Sequence, residues 1–322
     1  MILVTGCAGF IGFHVALTLL KQGESVVGVD NLNEYYDPKL KQARLLQLQA
    51  FPHFTFYKID IVHKDAVADL ALKHPEIEYI IHLAAQAGVR YSLENPHAYI
   101  DSNVTGQLNI LELCKKLSQL RHFVYASTSS VYGANTKMPF SVDDRTDSPI
   151  SLYAATKKSC ELMTHAYAHL FKIPSTGLRF FTVYGPWGRP DMAAFIFAKA
   201  ILNGAPIPIY NNGQMRRNFT YIEDIVAGIL GTLNTPPKSE LPYNLYNVGN
   251  DKSEELLHFI DVLEMHLGKK GARDFLPMQP GDVKETIADI QATRHDFGFE
   301  PKTNIEEGLK HFVNWYKEYY GT

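Results

Sequence analysis

The sequence predicts an α/β fold, a doubly wound parallel sheet carrying a smaller mixed α/β domain. Three observations predict it: short apolar runs alternate with amphipathic stretches through the first half, a glycine-spaced turn joins the first run to the first amphipathic stretch, and after about residue 175 the alternation gives way to Pro- and Gly-rich connections.

Ile2 to Thr5 reads as a buried strand, Phe10 to Lys21 as an amphipathic helix ending near Gly23, and Ser25 to Asp30 as the second strand. The charged, Leu-rich stretch Pro38 to Gln49 is an extra helix before the third strand. Further strands are expected at Phe54 to Ile59, Glu78 to Leu83 and His122 to Ala126, separated by helices at Lys64 to Lys73 and Tyr99 to Leu117. A long helix should follow from about Leu152 to Leu170.

Residues 1–176 are therefore expected to form one α/β domain, and 177–322 mainly a second, whose chain returns to the sheet around 215–250, for instance through Asn244 to Val248. The turns Pro186 to Pro190, Asn211-Asn212-Gly213, Thr235-Pro236-Pro237 and Gln279-Pro280-Gly281 are connections of the kind that carry binding residues. The aromatic stretch Phe312 to Tyr320 reads as a helix packed on this second domain.

A chain of 322 residues with 46% apolar side chains can bury a substantial core. A net charge of -3 with no Lys/Arg-rich run argues against a nucleic-acid surface or a polybasic membrane patch. The first residues are apolar only briefly and have no basic prelude, so neither a signal peptide nor a membrane span is expected, which favours the cytoplasm. Cys7, Cys114 and Cys160 fit reduced thiols and give no disulfide framework. His165 and His169 lie one helical turn apart, but no Glu follows His165, so no metal site is expected.

Gly6, Gly9 and Gly12 punctuate the first strand-to-helix turn. Missing side chains let the backbone N–H groups of Gly9, Phe10, Ile11 and Gly12 approach a pyrophosphate at a helix N-terminus, where the dipole favours anions. Asp30, with Asn31 behind it, ends the second strand, where a carboxylate accepts ribose hydroxyls and repels a 2'-phosphate, so NAD is favoured over NADP. Asp60-Ile61 would meet the adenine, and the small residues of Leu83-Ala84-Ala85 would let the cofactor pass.

Tyr153 and Lys157 stand four apart on one helix face, where the cation favours the phenolate of a general base. Ahead of them, Ser127-Thr128-Ser129-Ser130 puts four hydroxyls at the carboxyl end of a strand, the edge at which open α/β sheets bind ligands. Thr128, Ser129 and Ser130, with Thr182, could hold a substrate carboxylate, which accepts up to about four hydrogen bonds.

These segments resemble the extended short-chain dehydrogenase/reductase family over almost the whole chain. The resemblance rests on Thr5 to Gly12, His82 to Ala85, Ser127 to Gly133, Tyr153 to Lys157 and Leu178 to Phe181. Nucleotide-sugar 4-epimerases are most similar, those acting on UDP-glucuronate above all, through Asp30 to Asp37, Gln86 to Ser92 and Val183 to Met192. The resemblance implies a Rossmann domain with NAD, Thr128 beside the reacting sugar oxygen, and Gln86 and Arg90 near the substrate. It implies Arg189 at the same anion or sealing the pocket, Arg217 at the diphosphate, Asp282 at the uridine ribose, and a homodimer. Related dehydratases carry Asp-Glu where this chain has Ser129-Ser130, which disfavours dehydration. Asn218 replaces the family's usual Asp. The activity implied is 4-epimerisation of UDP-glucuronate; the alternatives are a UDP-glucose or UDP-GlcNAc type of 4-epimerase, a UDP-glucuronate decarboxylase, or a non-catalytic NAD sensor.

Overall fold

The computed structural model describes residues 1–279 and 282–322; Pro280 and Gly281, part of one expected turn, lie outside the described residues. Its main sheet has seven parallel strands. Six are β1 (Ile2–Thr5), β2 (Val26–Asp30), β3 (Phe54–Lys58), β4 (Tyr79–His82), β5 (His122–Thr128) and β6 (Ser175–Phe180); the seventh, Tyr243–Val248, lies beside β6. The spatial order, Tyr243–Val248, β6, β5, β4, β1, β2, β3, reverses direction at β1. In such sheets the crevice at the reversal, beyond the carboxyl ends of the strands, takes the ligand. There Thr5 is in register with Val29 on one side and His82 on the other.

The long apolar runs become strands because helices cover both sheet faces: every residue of β1 and β2 is buried. Sequence periodicity places the ends of two elements differently from the structure. β5 runs on to Thr128, because parallel pairing with β6 continues through Ser127 and Thr128, and Ser129–Tyr132 then form a 3-10 turn. The single helix expected from Tyr99 to Leu117 is broken into Pro96–Tyr99, a π-helical stretch at Ile100–Thr105 and Gly106–Lys116. The wide turn brings Asn103 inward, where its side chain is 2% exposed and fully engaged, and such insertions are frequent at functional sites.

The first turn is fixed by close approach. A Cβ on Gly12 would lie 2.1 Å from the Gly6 carbonyl oxygen, and Gly6, at φ +70°, would place one 2.8 Å from the Ala84 nitrogen. Only glycine lets the helix Phe10–Lys21 start so close to β1 and β4.

Beyond β6 the chain builds small two-stranded pairs, Thr182–Tyr184 with Phe219–Tyr221, Arg216–Arg217 with Glu254–Glu255, and Ile207–Ile209 with Arg273–Phe275. The last helix, Ile305–Tyr320, buries Phe312, Trp315 and Tyr316 around Phe195, with ring centroids 5.1 to 6.1 Å away, and packs Trp315, tilted by 47°, 5.2 Å from Trp187. The loop Val183 to Met192 is thereby held against the last helix.

Candidate active site

One cavity of about 850 Å³ follows the crevice, and the residues expected to bind cofactor or substrate or to act in catalysis lie on its wall. Gly6, Gly9, Phe10, Ile11, Gly12, Asp30, Asn31, Asp60, Ile61, Leu83, Ala84 and Ala85 line one half; Gln86, Arg90, Ser127 to Ser130, Tyr153, Lys157, Thr182, Arg189, Arg217 and Asp282 line the rest.

At the first half, helix Phe10–Lys21 starts at Gly9 with no side-chain cap and no acidic residue in its first turn; the Gly9 N–H is spent on the Gly6 carbonyl at 2.9 Å, leaving those of Phe10, Ile11 and Gly12 for an anion. Asp30 accepts the Ala8 N–H at 3.1 Å on one oxygen and the Leu32 N–H at 2.8 Å on the other. Two bonds leave the carboxylate room for about two more, enough for a pair of ribose hydroxyls. Asn31 donates to Asp60 at 3.0 Å, while Asp60 also accepts the Val62 N–H at 3.1 Å, so this corner is preformed. A glycine turn that a Cβ would close, an uncapped helix start and a carboxylate with spare capacity together fit a dinucleotide.

Thr5 supports the floor. Its hydroxyl accepts the N–H groups of Leu83 and Ala84, both at 3.2 Å, so its proton goes to His82 Nδ1 at 2.6 Å. His82 is thus neutral with its proton on Nε2; burial, reinforced by the Lys157 charge, pushes its pKa down to about 3. Burial likewise lowers His122 to about 4, against the pull of its bond to the Leu233 carbonyl. Both folded values lie below the unfolded one, so the unfolded chain binds more protons as pH drops. Their stabilisation is complete above pH about 6.5 and is lost on the way down to those folded values, at about 2 kcal/mol per histidine by pH 5. Urea titrations at pH 7 and 5 should give that loss.

Helix Leu152–Phe171 carries Tyr153 and Lys157, and its start is capped by Ser151, which accepts the Ala154 N–H at 3.1 Å. Tyr153 is half-buried and Lys157 is 3% exposed. Asn103 holds the opposite wall to this helix: it donates to Thr156 at 3.0 Å and grips the Gln86 backbone twice, at 2.8 and 3.0 Å. Tyr99 meets the Tyr153 ring edge-on at 5.9 Å and donates to the Gly88 and Ala87 carbonyls. The Gln86 side-chain nitrogen is buried in the cavity wall with no protein acceptor.

The hydroxyl row divides by face. Ser127, also expected to contact the cofactor, turns its hydroxyl away and donates it to Glu161 at 2.7 Å, so that group is not offered to the cavity. Glu161 is locked by Arg179 at 2.8 and 2.9 Å, with both side chains at most 2% exposed. Thr128 donates to Ser130 at 3.3 Å and accepts its N–H at 3.2 Å, placing three hydroxyls around one bend.

Arg189 pairs with Asp191, 3.0 Å from Nε, and Asp191 also accepts the Tyr35 hydroxyl at 3.0 Å. This triad joins the two walls of the cavity. At the far end, Arg217 lies 3.6 Å and Arg90 4.0 Å from Asp282, and Arg90 also sits 4.9 Å over the Tyr210 ring. Two guanidiniums from segments far apart in sequence converge there, a geometry suited to a diphosphate. Asn218 is buried; its amide donates to the Asn250 and Lys252 carbonyls, which a carboxylate could not do, so the departure from Asp is compensated locally. Among the described residues no group of three or more His, Cys, Asp or Glu is gathered for a metal, and His165 packs on Tyr243.

Asn103, Tyr99, Tyr35, Asp191 and Glu161 were not evident as site residues in the sequence. Glu161 alone had a signal: it stands eight residues after Tyr153, on the buried face of the same helix.

A dinucleotide turn at the strand reversal and a Tyr/Lys pair facing a hydroxyl bend define the class. The chain belongs to the NAD dependent epimerase/dehydratase family, whose model matches residues 2–249. It is 49% identical to the "Probable UDP-glucuronate 4-epimerase" of Rhizobium meliloti, over 99% of this chain and 97% of that protein. It is also 49% identical to "UDP-glucuronate 4-epimerase 1" of Arabidopsis thaliana, over 99% of this chain and 77% of that one. The crystal structure of UDP-glucuronic acid 4-epimerase from Bacillus cereus, in complex with UDP-glucuronic acid and NAD, superposes with a TM-score of 0.92 at 36% identity, covering 99% of both chains.

Proposed function

We infer that this protein is an NAD-dependent isomerase that interconverts UDP-glucuronate and UDP-galacturonate. The observation that carries this reading is the bend Thr128-Ser129-Ser130 on the same cavity wall as Tyr153, Lys157, Thr182 and Arg189. The named relatives support it.

Tyr153 removes the C4 hydroxyl proton, with Lys157 beside it favouring the phenolate and Thr128 donating to the reacting oxygen. The Gly6–Gly12 turn and Asp30 would hold NAD, which when bound would serve as acceptor and then donor of the C4 hydride. Arg217, Arg90 and Asp282 hold the UDP end while the 4-keto sugar presents its second face, and Tyr153 then returns the proton. The orphaned Gln86 amide is a donor for a sugar oxygen. No oxidant or reductant is consumed overall.

A 4-keto uronic acid is a β-keto acid and loses carbon dioxide when the breaking bond stands perpendicular to the carbonyl. Ser129, Ser130 and Thr182 fix the carboxylate against that alignment, each bond to a charged group contributing about 1.5–3 kcal/mol. Proton NMR of UDP-glucuronate with the protein and NAD tests the function: UDP-galacturonate should appear without carbon dioxide or accumulated NADH, and an unchanged spectrum would refute it. In Ser129→Ala/Ser130→Ala the preference for UDP-glucuronate over UDP-glucose should fall by about tenfold or more and a UDP-pentose should appear. Wild-type preference and products in that variant would remove these serines from the acid site.

The surface also supports a homodimer. Ile100, Leu108, Leu162 and Leu170, on the Ile100–Lys116 and Leu152–Phe171 segments, are 40 to 66% exposed, enough apolar surface to be covered by a second copy. Light scattering that returns the mass of one chain would exclude this. Among the described residues no helix is long and apolar enough to cross a membrane, and the three buried free thiols support a reducing cytoplasm.

A further inference from the structure

Helix Pro38–Gln49 turns one face inward, and between Leu40, Leu45 and Leu48 that face carries two cations, Lys41 at 5% and Arg44 at 0% exposure. Arg44 Nη1 donates to the Ala8 carbonyl at 2.9 Å and to the Tyr36 hydroxyl at 2.8 Å; Nη2 donates to the carbonyls of Trp187 at 2.6 Å and Gly188 at 3.0 Å; Nε has no partner. All four acceptors are neutral, and among the described residues no carboxylate pairs with this guanidinium. A fully buried cation so surrounded keeps a charge that the protein leaves uncompensated. Ala8 lies between Gly6 and Gly9, so the charge sits directly behind the glycine turn.

Tyr36 connects that charge to the cavity. Tyr36 lines the cavity, whereas Arg44 does not and lies 5.6 Å from the Tyr36 ring centroid. The phenol oxygen accepts from Arg44, and among the described residues no acceptor receives its proton. Lys41, also on the wall, is tethered to Asn33 at 2.6 Å and lies 4.8 Å over the Tyr36 ring.

We propose that Tyr36 is a cofactor-binding residue that donates its hydroxyl proton to the dinucleotide pyrophosphate, and that Arg44 is the positioning residue that aims the hydroxyl and balances the anion's charge. The anion site thus has two sides, the backbone N–H groups of the glycine turn and a side-chain wall from the Asp30-to-helix segment. This rests on the dinucleotide reading above and deepens it. The same guanidinium holds the Trp187-Gly188 carbonyls, so the residue that answers the cofactor's charge also fixes the loop bearing Arg189.

The test is calorimetric titration of cofactor-stripped full-length protein with NAD, ADP-ribose and adenosine. Arg44→Met removes an ion and four hydrogen bonds and bears on the fold as well, so Tyr36→Phe, which removes one hydroxyl, carries the test. Tyr36→Phe should weaken NAD and ADP-ribose by about tenfold or more and leave adenosine unchanged, because only the first two contain the pyrophosphate. Wild-type affinity of the variant for NAD and ADP-ribose would overturn the proposal, as would an equal loss for adenosine. Failure of the wild-type protein to bind any dinucleotide would instead overturn the reading on which the proposal rests.

Discussion

Tyr153→Phe should lower kcat by about a thousandfold or more while the protein keeps its dinucleotide. Two neighbouring titratable groups are already engaged. His82 receives the Thr5 proton, and the Tyr99 phenol is spent on two carbonyls. The phenol-to-phenyl change leaves the edge-on ring contact with Tyr99 in place, so the helix and cavity survive it. Rapid-quench or NMR assays, with bound dinucleotide quantified by absorbance after denaturation, read both halves of the expectation. Substantial turnover in the variant would move the base elsewhere, and loss of dinucleotide would make Tyr153 a binding residue first.

Arg179→Met should cost about 3 kcal/mol, because it leaves the Glu161 carboxylate, at 1% exposure, with only the Lys158 ammonium at 3.2 Å and the Ser127 hydroxyl as partners. For a chain of this length that corresponds to a fall in Tm of roughly 5 °C, readable by calorimetry. Burial alone would raise the Glu161 pKa, but the bidentate bond to Arg179 outweighs it and holds the carboxyl below its usual range. A lowered folded pKa gives stability that is complete above the ordinary glutamate value and fades as pH falls through the folded one. The double variant Glu161→Gln/Arg179→Met should recover part of the loss, since it removes the buried charge; equal destabilisation in single and double variants would contradict the ion-pair account. Activity should fall with it, because Ser127 is tied to Glu161 and adjoins Thr128.

Local pattern made the sheet and the cavity wall readable. Continuous apolar runs between helices announce parallel strands, and Gly6, Gly9, Gly12 and Asp30 carry their geometry in their spacing. What escaped was set by partners distant in sequence. Asn103 reads as an ordinary polar residue in a helix until the π-turn aims it at Gln86 and Thr156. Asp191 follows Arg189 and Pro190 in a loop, and its bond to Tyr35 spans 156 positions. Ser127 looked like its neighbours, but strand alternation turns it to the opposite face. Arg44 was the most legible of the missed residues: Leu40, Arg44 and Leu48 repeat every four positions, so a charge on that stripe must be buried.

The Tyr35–Asp191 bond has a kinetic consequence. It joins groups of the protein alone, one on each wall of the cavity, and makes no demand on what lies behind it. Such a bond taxes entry and departure by the same factor. It slows exchange of whatever is enclosed without altering the affinity, and a variant lacking it, Tyr35→Phe, would trade cofactor with solution faster at an unchanged Kd.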